Sequence, residues 1–368
     1  MSWNLDATDI RDTAIPTDWK NIRVGHIDTG IRPNSILGSV LFEHGLNLLE
    51  PGTPATPPPG TSPPNCEDPS DILRDMAVLA HGTRTSSILC GLDPDGGFRG
   101  AAPGVPVVPV RAMNGVVLLT TEERDRVAAG IRHAVSKNCQ VISISLGVPG
   151  ISLFSYGMKA GEDMARAVDE AYEAGVIICG AGGQYLASCC YPGKFFRAIG
   201  VGGYEEGLPS AWPVYADGKY TTGADFVDVW APARQVLRLN GDTPDDSDYQ
   251  KGAGTSYATP HVAAAAALWL RWGWNDIEAK YGATWRRVEA FRLLLKKTAF
   301  ALNGFGFGPN FPDVNVRRPD AGETPPSKGM SIGMSGISGG LNVQGILDTP
   351  LPDIGDGRKE RSVMKQDS

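Results

Sequence analysis

The sequence predicts an α/β fold in which a mainly parallel central sheet carries helices on both faces. Short segments rich in Val and Ile alternate with longer amphipathic segments between about residues 21 and 298, and this alternation is typical of strand–helix–strand units. The chain has 368 residues, of which 42% are hydrophobic, and that is enough to bury one large core. We therefore expect a single main domain over residues 1–301.

The predicted elements follow one another in a regular order. Strands are predicted at 21–27, 105–111, 141–146, 176–179, 199–203 and 225–232. Helices are predicted from His81 to Cys90, from the capping-box residue Thr120, over 158–174, from Ser256 and over 284–298. Because a helix separates most successive strands, the connections favour parallel pairing.

Two stretches depart from this pattern. The region of about 46–75 contains the segment PGTPATPPPGTSPPNCEDP, whose prolines exclude a helix or a central strand, so we expect a Pro-rich surface insertion. Residues 302–368 are rich in Gly, Pro and Ser and end in a charged segment. This composition predicts an irregular C-terminal appendage that forms no core of its own.

Charge and hydropathy limit the partners of the chain. The net charge of −7 argues against nucleic acid or an anionic membrane, and no run of about 18 apolar residues predicts a membrane-spanning helix. The first 20 residues lack the basic and apolar regions of a signal peptide, and the six cysteines are sparse. We therefore expect reduced thiols and a cytoplasmic location, or a secreted one if the chain is a processed form.

The loop 91–100, GLDPDGGFRG, is a candidate cation site. It carries Asp93 and Asp95 among glycines, a pattern that resembles a calcium loop and is equally typical of a plain turn. Pro94 in its middle argues against the calcium interpretation. No metal or cofactor is expected, and calcium is kept as the alternative.

Three residues stand where α/β proteins hold catalytic side chains. Asp28 follows the first strand, His81 begins a helix, and Ser256 begins the helical segment GTSYATPHVAAAAALWL. Singly, they are typical of a strand-end turn, a capping residue and a buried helix start. Together they are the residue types of a nucleophilic triad, in which His81 takes the Ser256 proton while Asp28 orients the imidazole and stabilises its cation.

At these motifs the chain resembles the subtilisin-like serine proteases. The similarity lies in IDTGI (27–31), HGT (81–83), ISLG (144–147), YPGKF (191–195), VDVWAPA (227–233) and GTSYATPHVA (254–263). The order Asp, His, Ser is also that of the family. The resemblance implies a subtilisin-like fold, a catalytic domain over residues 1–301, and a protein or peptide as the substrate.

The resemblance also implies a substrate cleft. An edge that pairs with an extended substrate backbone would be formed by Ser145, Leu146 and Gly147. The opposite wall of the pocket for the residue before the scissile bond would be formed by Ala181, Gly182 and Gly183, with Cys190 at its base. A cysteine at that base makes the pocket shallow and favours small or medium apolar side chains.

The oxyanion hole departs from the family pattern. Family members place an asparagine directly after Ala-Gly, where this chain has Gly183, followed by Gln184. Gln184 carries the same NH₂ group on a longer arm, so Gln184 and Gly183 are the candidates that complete the oxyanion hole with the Ser256 N–H, provided that the Gln184 side chain reaches it. Losing such a side-chain donor lowers turnover by roughly 10² to 10³, a value that comes from a subtilisin.

Three functions follow from these observations. The first is a serine endopeptidase that forms an acyl-enzyme on Ser256. The second is a processing protease or peptide ligase that acts on one partner, with the Pro-rich insertion or the tail covering the cleft. The third is an inactive or weakly active peptide-binding or scaffolding module, which the missing asparagine favours, although a binding module has no need of a complete triad.

Overall fold

The computed structural model describes residues 2–50, 80–148, 161–183, 189–205, 208–212, 227–241, 248–301, 339–356 and 358–359. Its strands are β1 Val24–Asp28, β2 Leu46–Asn47, β3 Val107–Arg111, β4 Val141–Ile144, β5 Ile177–Ala181, β6 Ile199–Glu205, β7 Leu208–Trp212, β8 Val229–Arg234, β9 Val236–Leu239, β10 Tyr249–Gly252, β11 Phe300–Ala301 and β12 Gly339–Gly340. Its helices are α1 Trp3–Ala7, α2 His81–Cys90, α3 Thr121–Ser136, α4 Glu162–Glu173, α5 Thr255–Tyr281, α6 Trp285–Thr298 and α7 Val343–Asp348.

The central sheet has the strand order β11-β12-β8-β6-β5-β4-β1-β3-β2, with β7 beside β6. Every pair from β12 to β2 along this path is parallel. The β11–β12 and β6–β7 pairs are antiparallel, and β9 and β10 form a separate antiparallel ribbon. The predicted mainly parallel sheet is confirmed.

Helices cover both faces of the sheet. Along each strand, successive side chains point to opposite faces and therefore pack in different cores. Val141 packs in the core that contains α2 and α5, whereas its neighbour Ile142 packs in the core that contains α3 and α4. Helix α5 approaches the sheet closely because its alanines at 263–267 are fully buried and small. The predicted helix at Ser256 therefore lies at the centre of the domain.

Residues 339–356 belong to the main domain, so the prediction of an appendage starting at residue 302 is wrong for this part. Strand β12 pairs with β8 and β11, and Leu341, Val343 and Ile346 are buried in the same core as α5. The two glycines of β12 join the sheet through their backbone alone, and composition does not reveal such pairing. Residues 302–338 lie outside the described ranges.

The start of the Pro-rich insertion also differs from the prediction. Residues 46 and 47 form β2, which pairs with β3 in the central sheet, so the segment from residue 46 to residue 50 belongs to the folded domain. Residues 51–79 lie outside the described ranges. In the part of the chain that is described, no helix is long and apolar enough to cross a membrane.

Candidate active site

Asp28 and His81 form a buried hydrogen-bonded pair at the carboxyl edge of the sheet. Asp28 is the last residue of β1 and is 0% exposed, while His81 is the first residue of α2 and is 6% exposed. The His81 Nδ1–H donates to Asp28 Oδ1 at 2.7 Å. Because an ionised carboxylate only accepts, the ring carries its proton on Nδ1 and presents the Nε2 lone pair outward.

Asp28 is held as an anion by its surroundings. Its Oδ1 also accepts from the backbone N–H of Thr29 at 2.7 Å, and its Oδ2 accepts from the Thr85 hydroxyl at 3.3 Å. Burial by itself raises the pKa of a carboxyl group, but the positive charge that the His81 ring carries when protonated and the hydrogen bonds from His81 and Thr29 outweigh that effect. The pKa of Asp28 therefore lies below its usual value.

Gly82 allows α2 to begin directly against the turn that follows β1. A Cβ atom at this position would lie 1.9 Å from the carbonyl oxygen of Gly30, so only glycine fits there. The Gly82 N–H donates to Thr29 Oγ1 at 3.0 Å. Since Thr29 and Gly30 follow Asp28 in the chain, these contacts fix the start of α2, and thus His81, relative to the carboxylate.

Ser256 lies in the first turn of α5, next to the end of β4. Its hydroxyl donates to the carbonyl oxygen of Ser145 at 3.2 Å, and the Ser145 hydroxyl donates to the Ser256 carbonyl oxygen at 2.9 Å. Among the residues that the structure describes, no hydrogen bond joins Ser256 to His81. To react with the aid of His81, the Ser256 hydroxyl must turn away from Ser145.

Pro260 explains why the Ser256 carbonyl oxygen accepts from a side chain. Pro260 is the sixth residue of α5 and therefore lies inside the helix. A proline inside a helix provides no N–H for the carbonyl oxygen four residues earlier, here that of Ser256. The Ser145 hydroxyl supplies the missing donor and thereby ties the Ser256 backbone to the end of β4.

The expected substrate edge is already paired with the protein's own chain at Gly147. The Gly147 N–H donates to the Val116 carbonyl oxygen at 3.0 Å, and the Leu118 N–H donates to the Gly147 carbonyl oxygen at 3.0 Å. At the start of the same edge, the Ser145 carbonyl oxygen accepts from the Ser256 hydroxyl. An extended substrate that pairs here must therefore break these internal hydrogen bonds and replace them with its own.

The opposite wall is built on the end of β5. Ala181 is the last residue of β5, the Gly182 N–H donates to the Val201 carbonyl oxygen at 2.8 Å, and the Cys190 N–H donates to the Gly182 carbonyl oxygen at 2.9 Å. The structure thus brings Cys190 against this segment, and its role at the base of a substrate pocket stays a prediction. The five described cysteines, at 90, 139, 179, 189 and 190, are thiols.

Cys190 also fills the space between the wall and the edge. A Cβ atom at Gly183 would lie 2.5 Å from Cys190 Sγ, and one at Gly147 would lie 2.7 Å from Cys190 Cβ. Gly183 has a φ of +87°, a left-handed conformation that side chains other than glycine adopt at a cost. The asparagine typical of the family therefore does not fit at residue 183 while Cys190 keeps this position.

The oxyanion hole is described only in part. The backbone N–H of Gly183 donates to Thr255 Oγ1 at 3.0 Å, so this group is already used within the protein. Gln184 lies outside the described ranges, and its role stays a prediction. The Ser256 N–H, at the start of α5, is in the position of a helix N-terminus that favours negative charge.

The candidate cation loop is organised by hydrogen bonds within the protein. The Asp93 carboxylate accepts from the Tyr249 hydroxyl at 2.7 Å and from the backbone N–H groups of Asp95 and Gly97 at 2.9 and 3.1 Å. The Tyr249 hydroxyl contributes most to a lowered pKa of Asp93. Across the described ranges, no three His, Cys, Asp or Glu residues are grouped so that they could hold a metal ion.

The fold and the site together define a class of protein. A parallel α/β sheet that carries a buried Asp–His pair at its carboxyl edge, with a serine at the start of the central helix, is the framework of a serine hydrolase. The sequence profile of the subtilase family matches residues 20–316. The chain belongs to this family and is a serine protease.

Individual relatives support the same assignment. Subtilisin DY of Bacillus licheniformis is 28% identical over 259 residues, which are 68% of this chain and 77% of that protein. Subtilisin E of Bacillus subtilis (strain 168) is 26% identical over 255 residues, which are 68% of this chain and 58% of that protein.

Solved structures show the same fold at lower identity. Fervidolysin from Fervidobacterium pennivorans, a keratinolytic enzyme related to subtilisin, has a TM-score of 0.60 and 21% identity over 95% of this chain and 46% of its own. The self-cleaved protease domain of PatA has a TM-score of 0.56 and 20% identity over 89% of this chain and 95% of its own.

Proposed function

We propose that the chain is an endopeptidase that hydrolyses peptide bonds through an acyl-enzyme on Ser256. The 2.7 Å hydrogen bond between the buried His81 ring and Asp28 is the observation that carries this proposal. It leaves the Nε2 lone pair of His81 available as a general base, and a binding module has no use for that arrangement. The substrate is a protein or peptide.

In the proposed reaction His81 Nε2 takes the proton of the Ser256 hydroxyl as its oxygen attacks the scissile carbonyl carbon. The carbonyl oxygen becomes negative and accepts from the Ser256 N–H, with the Gln184 side chain as the second proposed donor. His81 then gives its proton to the leaving amine, and the C–N bond breaks. Water, activated by the same nitrogen, hydrolyses the ester and regenerates Ser256. No cofactor is needed for these steps.

The test uses two serine variants and a fluorophosphonate probe. Ser256→Ala is expected to abolish peptide hydrolysis and labelling, because the probe reacts with the activated hydroxyl. Ser136→Ala, an exposed serine at the end of α3, is the matched control and should behave as wild type. Unchanged labelling of Ser256→Ala would refute the assignment of the nucleophile.

One observation favours a weakly active or peptide-binding protein as the second candidate. Gly183 contributes no side-chain donor to the oxyanion hole, and its backbone N–H is bonded to Thr255. Titration of the wild-type protein with the same probe separates the two functions. A stoichiometric reaction supports the protease, and the absence of any reaction supports the binding module.

A narrow, processing type of specificity is a finer proposal. One structural neighbour is named a patellamide maturation protease, and the Gly147 edge of this chain is paired internally, which favours substrates able to displace that pairing. Profiling cleavage of a proteome-derived peptide library tests it. A few related sites are expected, and broad cleavage would contradict narrow specificity. Any truncation that tests the tail must keep residues 339–356, because this segment pairs with β8 and packs against the core.

A further inference from the structure

A buried polar pair lies behind the Asp28 carboxylate. His26 stands two residues before Asp28 on β1, and Thr85 stands four residues after His81 on α2. Their side chains are 1% and 0% exposed, and His26 Nε2 lies 2.9 Å from Thr85 Oγ1. Burying a polar group is costly unless it is hydrogen-bonded. His26 is thus a buried core residue, and its contact with Thr85 connects it to Asp28 of the proposed triad.

Thr85 is the link between this pair and Asp28. Its hydroxyl lies 3.3 Å from Asp28 Oδ2, and also 3.1 Å from the His81 carbonyl oxygen and 3.2 Å from the Gly82 carbonyl oxygen. The hydroxyl has one proton to donate. In a buried site a charged carboxylate is a stronger acceptor than a carbonyl group, so Asp28 Oδ2 is favoured.

The tautomer of His26 decides whether the Thr85 hydroxyl can donate its proton to Asp28 or must donate it to His26. His26 Nδ1 has no partner among the described residues. A buried N–H group without an acceptor is rarer in proteins than a buried acceptor without a donor, so the proton of the neutral ring belongs on Nε2. Burial also lowers the pKa of His26, although the charge of Asp28 opposes this effect and the charge of a protonated His81 ring adds to it.

With this tautomer, the hydrogen bonds run in one direction. His26 Nε2–H donates to Thr85 Oγ1, and the Thr85 hydroxyl donates to Asp28 Oδ2. His81 and Thr29 donate to the other carboxylate oxygen. Both oxygens are then restrained, and rotation of the carboxyl group away from His81 breaks at least one bond.

We propose that His26 and Thr85 are positioning residues, which hold the Asp28 carboxylate in the orientation that fixes the His81 ring. This inference rests on the proposed function. Neither residue touches the substrate, because both are buried behind Asp28. Both residues therefore affect the rate of the chemical step and not substrate binding. His26 acts by orienting the Thr85 hydroxyl, which in turn holds Asp28.

The first test compares Thr85→Val with Thr85→Ser. Valine keeps the shape and removes the hydroxyl, so kcat is expected to fall about tenfold with KM unchanged, the effect of one buried hydrogen bond. The acid limb of the kcat/KM profile should move to higher pH, because a carboxylate that has lost a donor stabilises the protonated imidazole more strongly. Thr85→Ser restores the donor and should behave as wild type.

The second test uses His26→Leu and His26→Gln, since glutamine places an N–H group near the position of Nε2. Leucine should lower kcat and glutamine should rescue it. In the Thr85→Val background, His26→Leu should have no further effect, because its action passes through Thr85. If Thr85→Val does not fold, the His26 pair alone decides the question.

Three results would overturn the inference. They are an acid limb that Thr85→Val does not move, a Thr85→Ser variant as slow as Thr85→Val, and independent, multiplying effects of His26→Leu and Thr85→Val. Labelling by the fluorophosphonate distinguishes this outcome from failure of the proposed function. If the wild-type protein is labelled but the pH profile of Thr85→Val does not move, only the positioning role is refuted. If the wild-type protein is not labelled, the proposed protease function is refuted.

Discussion

Gly183 and Cys190 are expected to be energetically coupled, because one side chain occupies the space that the other position would need. A Cβ atom at residue 183 would lie 2.5 Å from Cys190 Sγ but 3.6 Å from Cys190 Cβ. Gly183→Ala therefore overlaps the sulfur, and Cys190→Ala removes the overlap while leaving an ordinary carbon–carbon contact.

The magnitude follows from two separate costs of Gly183→Ala. Overpacking a buried contact costs about 1–3 kcal/mol, and a left-handed φ, here +87°, costs a non-glycine residue roughly 1–2 kcal/mol. Cys190→Ala relieves the first cost only. The coupling free energy of the double-mutant cycle is therefore expected to be about 1–3 kcal/mol, with the double variant more stable than the sum of the single ones.

The assay is the free energy of unfolding from urea titration, measured in the Ser256→Ala background so that autolysis does not interfere. Gly96→Ala is the matched control, because Gly96 has a φ of +78° and a Cβ atom added there would meet nothing within 4 Å. It should show the φ cost alone and no coupling to Cys190→Ala. Additive effects of Gly183→Ala and Cys190→Ala would refute the steric reasoning.

The same reasoning makes a catalytic prediction in the protein that retains Ser256. Gly183→Asn alone is expected to lower activity, because the side chain meets Cys190 Sγ. In the Cys190→Ala background the asparagine has room, and a donor placed in the oxyanion hole is expected to raise kcat, by up to about 10² on the scale measured in a subtilisin. If Gly183→Asn behaves identically in both backgrounds, Cys190 is not what excludes the asparagine.

Three further results are expected. Gly82→Ala should lower kcat by about 10² or more, because its Cβ would lie 1.9 Å from the Gly30 carbonyl oxygen and displace the start of α2; wild-type rates would refute this. Amide hydrogen exchange at Leu118 should accelerate when an extended peptidyl inhibitor binds, because the inhibitor replaces the Leu118 N–H as the donor to the Gly147 carbonyl oxygen. Unchanged exchange would show that the substrate pairs elsewhere. His261 is buried and its pKa is lowered to about 4. The free energy of unfolding from urea titration should therefore fall as pH falls from about 6.5 to about 4, because the His261 ring takes up a proton in the unfolded chain before it does so in the folded one. His261→Asn should reduce this fall by up to about 3 kcal/mol, and an unchanged slope would contradict the reasoning.

The candidate site residues could be named from the sequence because they lie in short contiguous motifs. Asp28, His81 and Ser256 each sit beside glycine or threonine residues at a strand end or helix start, and those local patterns can be recognised without knowing the contacts. The parallel sheet was predictable for a similar reason, since each strand and helix has its own periodicity. The structure confirms the sheet and brings Asp28 and His81 together.

Other features depend on contacts between residues distant in the chain, and the sequence alone did not reveal them. Strand β12 consists of two glycines, which pair through backbone groups and leave no side-chain pattern. The link from His26 to Thr85 joins residues 59 positions apart. Pairing of Gly147 with segment 116–118 is likewise a backbone contact.

Local patterns in the sequence were enough to predict the sheet class and the three candidate catalytic residues, and the resemblance to the family pointed to Gly183 as a departure from its usual asparagine. Which groups those residues bond became visible only in the folded chain. There the Ser256 hydroxyl is bonded to Ser145, the Asp28 carboxylate is held by Thr85, and Cys190 fills the space beside Gly183. Hydrogen bonds and steric exclusion act over a few ångströms in space, and no spacing along the chain specifies them.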